Sequence, residues 1–156
     1  MVNILTGGPE AGAALTAHPL VAHIAFTGGP ETARHIVRGS AENLAKTSLE
    51  LGGKSPFIVF DDADLDSAAN AQVAGIFAAT GQSCVAGSRL LVQESIAPGF
   101  LDKVRWRMGK LRVGDPLDKS IDIGAIVDPV QRESIDRWVQ RGVAEGAALY
   151  QPDCPL

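Results

Sequence analysis

Apolar and polar positions alternate in short blocks along the first third of the chain, and they predict strands that each lead into a helix. Residues 2–5 (VNIL), 23–26 (HIAF) and 46–51 (KTSLEL) are the apolar runs, and a helical segment over residues 11–18 follows the first. The order strand, helix, strand, helix, strand predicts a parallel sheet, because parallel neighbours need a crossover connection. The expected fold class is therefore α/β, with half of a doubly wound sheet.

A repeated motif marks the two places where a strand is expected to enter a helix. Residues 6–10 and 27–31 share the sequence TGGPE, at an offset of 21 residues. Proline suits the first helical position, where no N–H donor is needed, and the following glutamate complements the positive helix end. The glycine pair either makes a tight turn or lets a phosphate approach the backbone. Local chemistry does not distinguish the two copies.

A second series of elements begins after Lys54. Residues 56–60 (PFIVF) predict a continuous apolar strand, and Asp64 or a neighbour is expected to cap a helix over residues 65–80 that is rich in small residues. Gly81 suits a left-handed residue that ends this helix.

Apolar periodicity predicts the remaining elements. Residues 89–93 (RLLVQ) predict a buried strand, and the helical stripe Phe100, Leu101, Val104, Met108 and Leu111 is typical of a core face. Pro129 is expected to begin a last helix with Ile135, Trp138, Val139 and Val143 on one face, and residues 147–150 predict the start of another strand.

Composition and charge exclude several classes of function. With 156 residues, 46 % of them hydrophobic, the chain is long enough for one ordinary domain or two incomplete ones. Its 14 basic residues are scattered among 18 acidic ones, which argues against nucleic-acid binding. The sequence shows no membrane span and no basic leader. Cys84 and Cys154 fit neither a disulfide framework nor a metal site, so a cytoplasmic location is expected.

Residues 81–89 (GQSCVAGSR) place Cys84 among small residues between a helix and a strand. Cysteine is the strongest side-chain nucleophile, and small neighbours leave room for a carbonyl carbon and expose backbone N–H groups to an oxyanion. The alternative is a small buried apolar residue. Because Cys84 follows the end of a helix, a partner base, backbone donors or a cofactor's charge would have to activate it.

Glu50 stands between Leu49 and Leu51 at the end of a predicted strand, just before Gly52 and Gly53. Ligands of open α/β sheets gather beyond the carboxyl ends of strands, and a carboxylate partly removed from water there suits general base catalysis. The alternative is a glutamate on a solvent-facing edge of the sheet.

Three motifs, in this order, closely resemble the aldehyde dehydrogenase superfamily. They are residues 26–29 (FTGG), 49–55 (LELGGKS) and 81–89 (GQSCVAGSR), and the resemblance extends through nearly the whole chain. It implies that Cys84 is the catalytic nucleophile and that Glu50, 34 residues earlier, is the general base. It also favours the second of the two glycine pairs as the cofactor turn.

The resemblance implies NAD or NADP as cofactor, a small-molecule aldehyde as substrate and a homo-oligomeric full-length form. The implied cofactor-binding residues are Thr27, Gly28, Gly29, Leu51 and Gln131. Gly29 stands where the family commonly has serine, so one hydroxyl contact to the cofactor is expected to be missing. The amide N–H of Cys84 is expected to serve the oxyanion hole.

By the same resemblance, residues 1–52 are the C-terminal part of an NAD(P)-binding domain and residues 53–156 the N-terminal part of a catalytic domain. Members of the superfamily are much longer, so the chain resembles a Rossmann-like central segment and is expected to be inactive alone. Two alternatives remain open: a non-catalytic truncated piece that binds or assembles, and a relative that transfers the acyl group to coenzyme A. Glu50 argues against the second, because transfer to a thiol needs no water-activating carboxylate.

Overall fold

The structure is a computed structural model that describes residues 2–153. The chain divides into two compact units, Met1–Gly53 and Lys54–Leu156. Each unit has its own two-stranded parallel sheet with helices beside it. The α/β fold class expected from the sequence is therefore confirmed.

The first unit alternates helices and strands. Its elements are α1 (Pro9–Thr16), β1 (His23–Gly28), α2 (Pro30–Ser40) and β2 (Lys46–Leu51). β1 pairs in parallel with β2 over the full length of both strands. Pro9 and Pro30 each begin a helix, as the repeated motif predicts, and Gly8 and Gly29 are the N-cap residues.

The predicted strand over residues 2–5 is wrong. These residues form no regular element, and Val2 and Ile4 are 88 % and 86 % exposed. A strand needs a neighbour for its backbone hydrogen bonds, and among the described residues of this unit β1 and β2 pair only with each other. The first copy of the motif therefore follows a segment without regular structure and not a strand.

The second unit is built from two strands and three longer helices. Its elements are β3 (Pro56–Val59), α3 (Leu65–Phe77), β4 (Arg89–Val92), α4 (Ala97–Met108) and α5 (Pro129–Ala144), with short 3-10 turns at Ala78–Gly81 and Glu94–Ile96. β3 pairs in parallel with β4. The prediction that the strand over residues 89–93 is buried is wrong: only one face of β4 packs on the core, and Leu91 on the other face is 50 % exposed. Asp64 caps α3 as predicted, because its side chain accepts hydrogen bonds from the amides of Asp66 and Ser67.

The core of the second unit lies between the sheet and helices α3 and α4. Its buried members are Val59, Ala69, Val73, Phe100 and Val104. The predicted core stripe is confirmed at Phe100 and Val104, with Met108 and Leu111 packed against it. Leu101 is 36 % exposed, because it follows Phe100 directly and the helix turns it away from the core.

One predicted helix is shorter than expected, and one predicted strand does not form. α3 ends at Phe77, and Ala79 and Thr80 have positive φ before Gly81, whose φ of 74° confirms the left-handed position expected there. No strand forms over residues 147–150. Strand propensity alone does not make a strand when no neighbouring strand supplies its hydrogen bonds.

Candidate functional site

Four of the predicted site residues meet at the carboxyl edge of the β1–β2 sheet. Thr27 is registered opposite Glu50, and Gly28 is opposite Leu51. Paired residues of neighbouring strands share a face, so Thr27 and Glu50 lie side by side on the exposed face of the sheet. Gly28 and Leu51 are half-buried on the other face. The sheet thus brings the predicted base together with predicted cofactor contacts.

Gly29, the next predicted contact, forms the open N-terminus of α2. Its φ of −80° suits any residue, and it has no side-chain cap. A Cβ at this position would meet no atom within 4 Å, and the first helical residue, Pro30, has no N–H. The N–H groups of the next residues have no carbonyl partner within the helix, as at any helix start. These properties fit a phosphate group of a dinucleotide.

Gly28 lies close to the ring of Phe26. A Cβ on Gly28 would lie 2.5 Å from the ring of Phe26, its neighbour on the same face of β1. Beside this edge a groove of about 440 Å³ runs between α2 and β2, and Leu51 and Pro30 line it together with Arg34. The predicted cofactor edge therefore borders an open concave surface within the first unit.

The expectation that Glu50 is partly removed from water is wrong within the first unit. Glu50 is exposed, whereas Leu49 and Leu51 are half-buried and line the groove beside α2. The cause is the alternation of side chains along a strand, which directs Glu50 to the face opposite the helix. The Glu50 carboxylate is therefore open to water in this unit.

Cys84 is exposed and lies in a turn with Val85, after the 3-10 turn that ends α3. It is therefore not the small buried apolar residue that was the alternative. Among residues 2–153, the amide N–H of Cys84 has no hydrogen-bond partner. An exposed thiol beside a free backbone donor is the arrangement that nucleophilic attack on a carbonyl requires.

The end of the cysteine loop is anchored to its own unit. Nε2 of Gln72, on α3, donates to the carbonyl oxygen of Gly87 at 3.0 Å, and Nε of Arg89 donates to the carbonyl oxygen of Lys54 at 2.7 Å. Gln72 was not among the site residues predicted from the sequence. The sequence signal that could have found it is a long side chain with an amide group in a helix of mostly small residues.

Gln131 is the third residue of α5. Its backbone N–H donates to Oδ1 of Asp128 at 2.6 Å, and its side chain is exposed. The spacing of Asp128 and Gln131 is thus explained by helix capping. A contact from Gln131 to a cofactor stays a prediction.

Perturbed carboxyl groups lie in the second unit, away from Cys84 in sequence. Backbone and side-chain hydrogen bonds from Ser67 lower the pKa of Asp64. A hydrogen bond from Arg112 lowers the pKa of Asp122, with the guanidinium charge adding to the effect. These groups stabilise turns and helix ends, and none is a predicted site residue.

The described part of the chain shows neither a metal cluster nor a membrane helix. Within residues 2–153 no three His, Cys, Asp or Glu side chains are grouped so that they could hold an ion. No helix in that part combines the length and apolar character needed to cross a bilayer. Cys154, the second cysteine, lies outside the described residues.

Comparison with known proteins identifies close relatives. The model of the aldehyde dehydrogenase family matches residues 1–153. A (Z)-2-((N-methylformamido)methylene)-5-hydroxybutyrolactone dehydrogenase of Acinetobacter baylyi is 63 % identical over 150 residues. A betaine aldehyde dehydrogenase of Rhizobium leguminosarum is 43 % identical over 149 residues. Each match covers 96 % of this chain and 31 % of the relative, so the chain spans about a third of their length.

A solved structure has the same fold over most of the chain. It is a double mutant of betaine aldehyde dehydrogenase from Staphylococcus aureus in complex with NAD+, with 39 % identity and a TM-score of 0.85. The match covers 95 % of this chain and 30 % of that structure. At 39 % sequence identity, the similarity to this structure extends beyond the fold to the sequence.

Proposed function

The chain belongs to the aldehyde dehydrogenase family, and we propose that the protein containing it oxidises an aldehyde to a carboxylic acid with NAD or NADP as acceptor. The observation that carries the proposal is the exposed Cys84 thiol, with its free amide N–H, in a loop anchored to the second unit. Residues 1–52 would belong to the cofactor domain and residues 53–156 to the catalytic domain.

Cys84 forms the covalent bond to the substrate. Its thiolate attacks the aldehyde carbon, a C–S bond forms, and the carbonyl oxygen becomes an alkoxide. The Cys84 N–H donates to that oxygen, which stabilises the tetrahedral thiohemiacetal. The small neighbours of Cys84 leave the approach open.

The cofactor, when bound, accepts a hydride from the substrate carbon. Thr27, Gly28, Gly29 and Leu51 would hold it at the edge of the β1–β2 sheet, and Gln131 would contact its ribose. The open approach at Gly29 fits the diphosphate. Loss of the hydride restores the C=O bond and leaves a thioester on Cys84.

Glu50 completes the reaction as a general base. Its carboxylate accepts a proton from water, the water oxygen bonds to the acyl carbon, and the C–S bond breaks. Cys84 leaves as a thiolate and the carboxylic acid is released. The exposure of Glu50 supports this role, because the base must reach a water molecule.

The relatives are about three times as long as this chain, so we propose that the rest of the site is built by segments beyond these 156 residues. These segments would supply the adenosine contacts and a second oxyanion donor. Homo-oligomer formation by the full-length protein stays a prediction.

The relatives' names suggest which substrates to test first. The 63 % identical relative is named for a 5-hydroxybutyrolactone, and such a ring is the cyclic form of an aldehyde that carries a carboxyl group. We therefore propose aldehydes with a carboxyl group, in open or cyclic form, as the first class. Betaine aldehyde, named in a 43 % identical relative, is the second.

The test is aldehyde-dependent reduction of NAD or NADP by the full-length protein. Cys84→Ala should remove turnover, and the matched variant Cys154→Ser should retain it. Mass spectrometry should show an alkylating agent on Cys84 in preference to Cys154. Turnover retained in Cys84→Ala would contradict the mechanism. A thioester of coenzyme A as product, in place of the free acid, would favour the acyl-transferring alternative.

A further inference from the structure

Buried Gln72 connects helix α3 to the loop that carries Cys84. The residue is only 6 % exposed, and its Nε2 donates to the carbonyl oxygen of Gly87 at 3.0 Å. We propose that Gln72 is a positioning residue for the Cys84 nucleophile, acting through the backbone of Gly87. This inference rests on the proposed function and adds a residue to it.

Stability alone does not explain a glutamine at this place. Within residues 2–153, Oε1 of Gln72 has no hydrogen-bond partner, although the atom is buried. A buried acceptor without a donor destabilises a fold, and an apolar side chain of similar length would avoid that loss. Ala69 and Val73 of the same helix belong to the apolar core. The bond to Gly87 is what glutamine supplies and an apolar residue cannot.

The loop has little freedom where Gln72 holds it. Ala86 is 6 % exposed, and a Cβ on Gly87 would lie 2.9 Å from Cβ of Phe57. Arg89 is tied through its backbone N–H to the carbonyl oxygen of Ser55 at 3.2 Å. The Gln72 bond therefore fixes the backbone three residues after Cys84, between the buried Ala86 and the start of β4. It thereby sets the direction of the exposed thiol and of its N–H.

Misplacement of a nucleophile acts on the chemical step. A displacement of about 1 Å can lower a rate by roughly a hundredfold, while contacts that bind substrate elsewhere are unaffected. Loss of the Gln72 bond should therefore lower kcat by about tenfold to a hundredfold and leave KM nearly unchanged.

The experiment compares Gln72→Met with Gln93→Met in the full-length protein. Methionine matches glutamine in length but donates no hydrogen bond. Gln93 lies in the same unit, and its Oε1 accepts from the Asp61 amide at 3.0 Å, away from the cysteine loop. The measurements are the rate of the first burst of reduced cofactor and the midpoint of thermal unfolding. Gln72→Met should slow the burst while lowering the midpoint no more than Gln93→Met does, and Gln93→Met should leave the burst near the wild-type rate.

A second variant, Gln72→Glu, should show a pH-dependent burst rate that a role in packing alone would not produce. The carboxyl group introduced by Gln72→Glu can donate to Gly87 only when protonated, and burial favours the neutral form. Its burst rate, relative to wild type at the same pH, should recover as pH falls. The relative rate of Gln72→Met should stay low at every pH. This variant also tests the inference if Gln72→Met fails to fold.

Amide hydrogen exchange over residues 83–88 separates this inference from the proposed function, because it needs no turnover. Gln72→Met should speed exchange in this segment. Unchanged exchange, a burst within about twofold of wild type, or no recovery of Gln72→Glu at low pH would each overturn the inference with the mechanism intact. Turnover retained in Cys84→Ala would overturn the proposed function instead.

Discussion

The two units of this chain use the same local design and differ in what they bury. Each pairs two parallel strands and begins a helix with proline shortly after a strand or turn. The second unit encloses a cluster that includes Val59 and Phe100, with Phe100 fully buried. Among the described residues of the first unit, the buried ones are Ala33, Ile36, Thr16 and Ser40, of which two are polar. The same arrangement therefore buries a cluster of apolar side chains in the second unit and fewer, partly polar residues in the first.

Both units leave large apolar side chains exposed. In the first unit Val2, Ile4 and Leu20 are each more than 85 % exposed. The second unit also has an uncovered sheet face, with Ile58 and Leu91 in register and at least half exposed. Apolar surfaces of this kind are normally covered by other elements or by partner chains.

The largest expected effect concerns the isolated chain. If the uncovered surfaces and missing contacts belong to a longer enzyme, the 156-residue chain should show no aldehyde-dependent reduction of NAD or NADP above background. Loss of a single oxyanion donor already costs about a hundredfold to a thousandfold in rate. Light scattering should show self-association through the exposed sheet edges. A monodisperse monomer with measurable turnover would contradict this prediction.

The two units should also divide the chemistry between them. In the full-length protein, Glu50→Gln in the first unit should slow acid release by about a hundredfold or more, yet leave a burst of reduced cofactor. Cys84→Ala in the second unit should remove the burst as well. Stopped-flow absorbance separates the two results. Normal steady-state turnover in Glu50→Gln would remove Glu50 from the mechanism.

Core substitutions test the difference in burial. Phe100→Ala should lower the free energy of unfolding of the second unit by about 3–5 kcal/mol, and Ile36→Ala should cost the first unit about 2 kcal/mol. Trp106 and Trp138 are the chain's two tryptophans and both lie in the second unit, so their fluorescence in urea follows that unit. Circular dichroism follows both units. A fluorescence transition that Ile36→Ala shifts as far as Phe100→Ala does would contradict separate cores.

The smallest effect is the acid sensitivity of the second unit. The pKa of Asp122 is lowered from 3.8 in the folded state by its hydrogen bond from Arg112. Its contribution to stability is therefore complete above about pH 4 and is lost as pH falls through the lowered folded pKa. Thermal unfolding followed by fluorescence should show a small loss of stability below that range. Asp122→Asn should reduce the loss, whereas Asp136→Asn, on the exposed side of α5, should not.

Local signals predicted most of the helices and the capping residues. Proline at Pro30 and Pro129 fixed two helix starts, and Asp64 was recognisable as a cap, because these effects depend on residues within one turn. The strand over residues 2–5 was predicted wrongly, since a strand depends on a neighbour that local sequence does not specify. For Glu50 the sequence left two interpretations open, and the structure agrees with the solvent-facing one, because side chains alternate along β2 and the flanking leucines lie on the opposite face.

The sequence by itself determined the α/β class, the starts of several helices and the family, because periodicity, turn residues and three ordered motifs are properties of the chain. Only the tertiary structure decided that Thr27 and Glu50 lie side by side, since strand register joins residues far apart in sequence. It also revealed that Gln72 holds the cysteine loop. That bond depends on how α3 packs beside the loop, and the spacing of residues does not encode it.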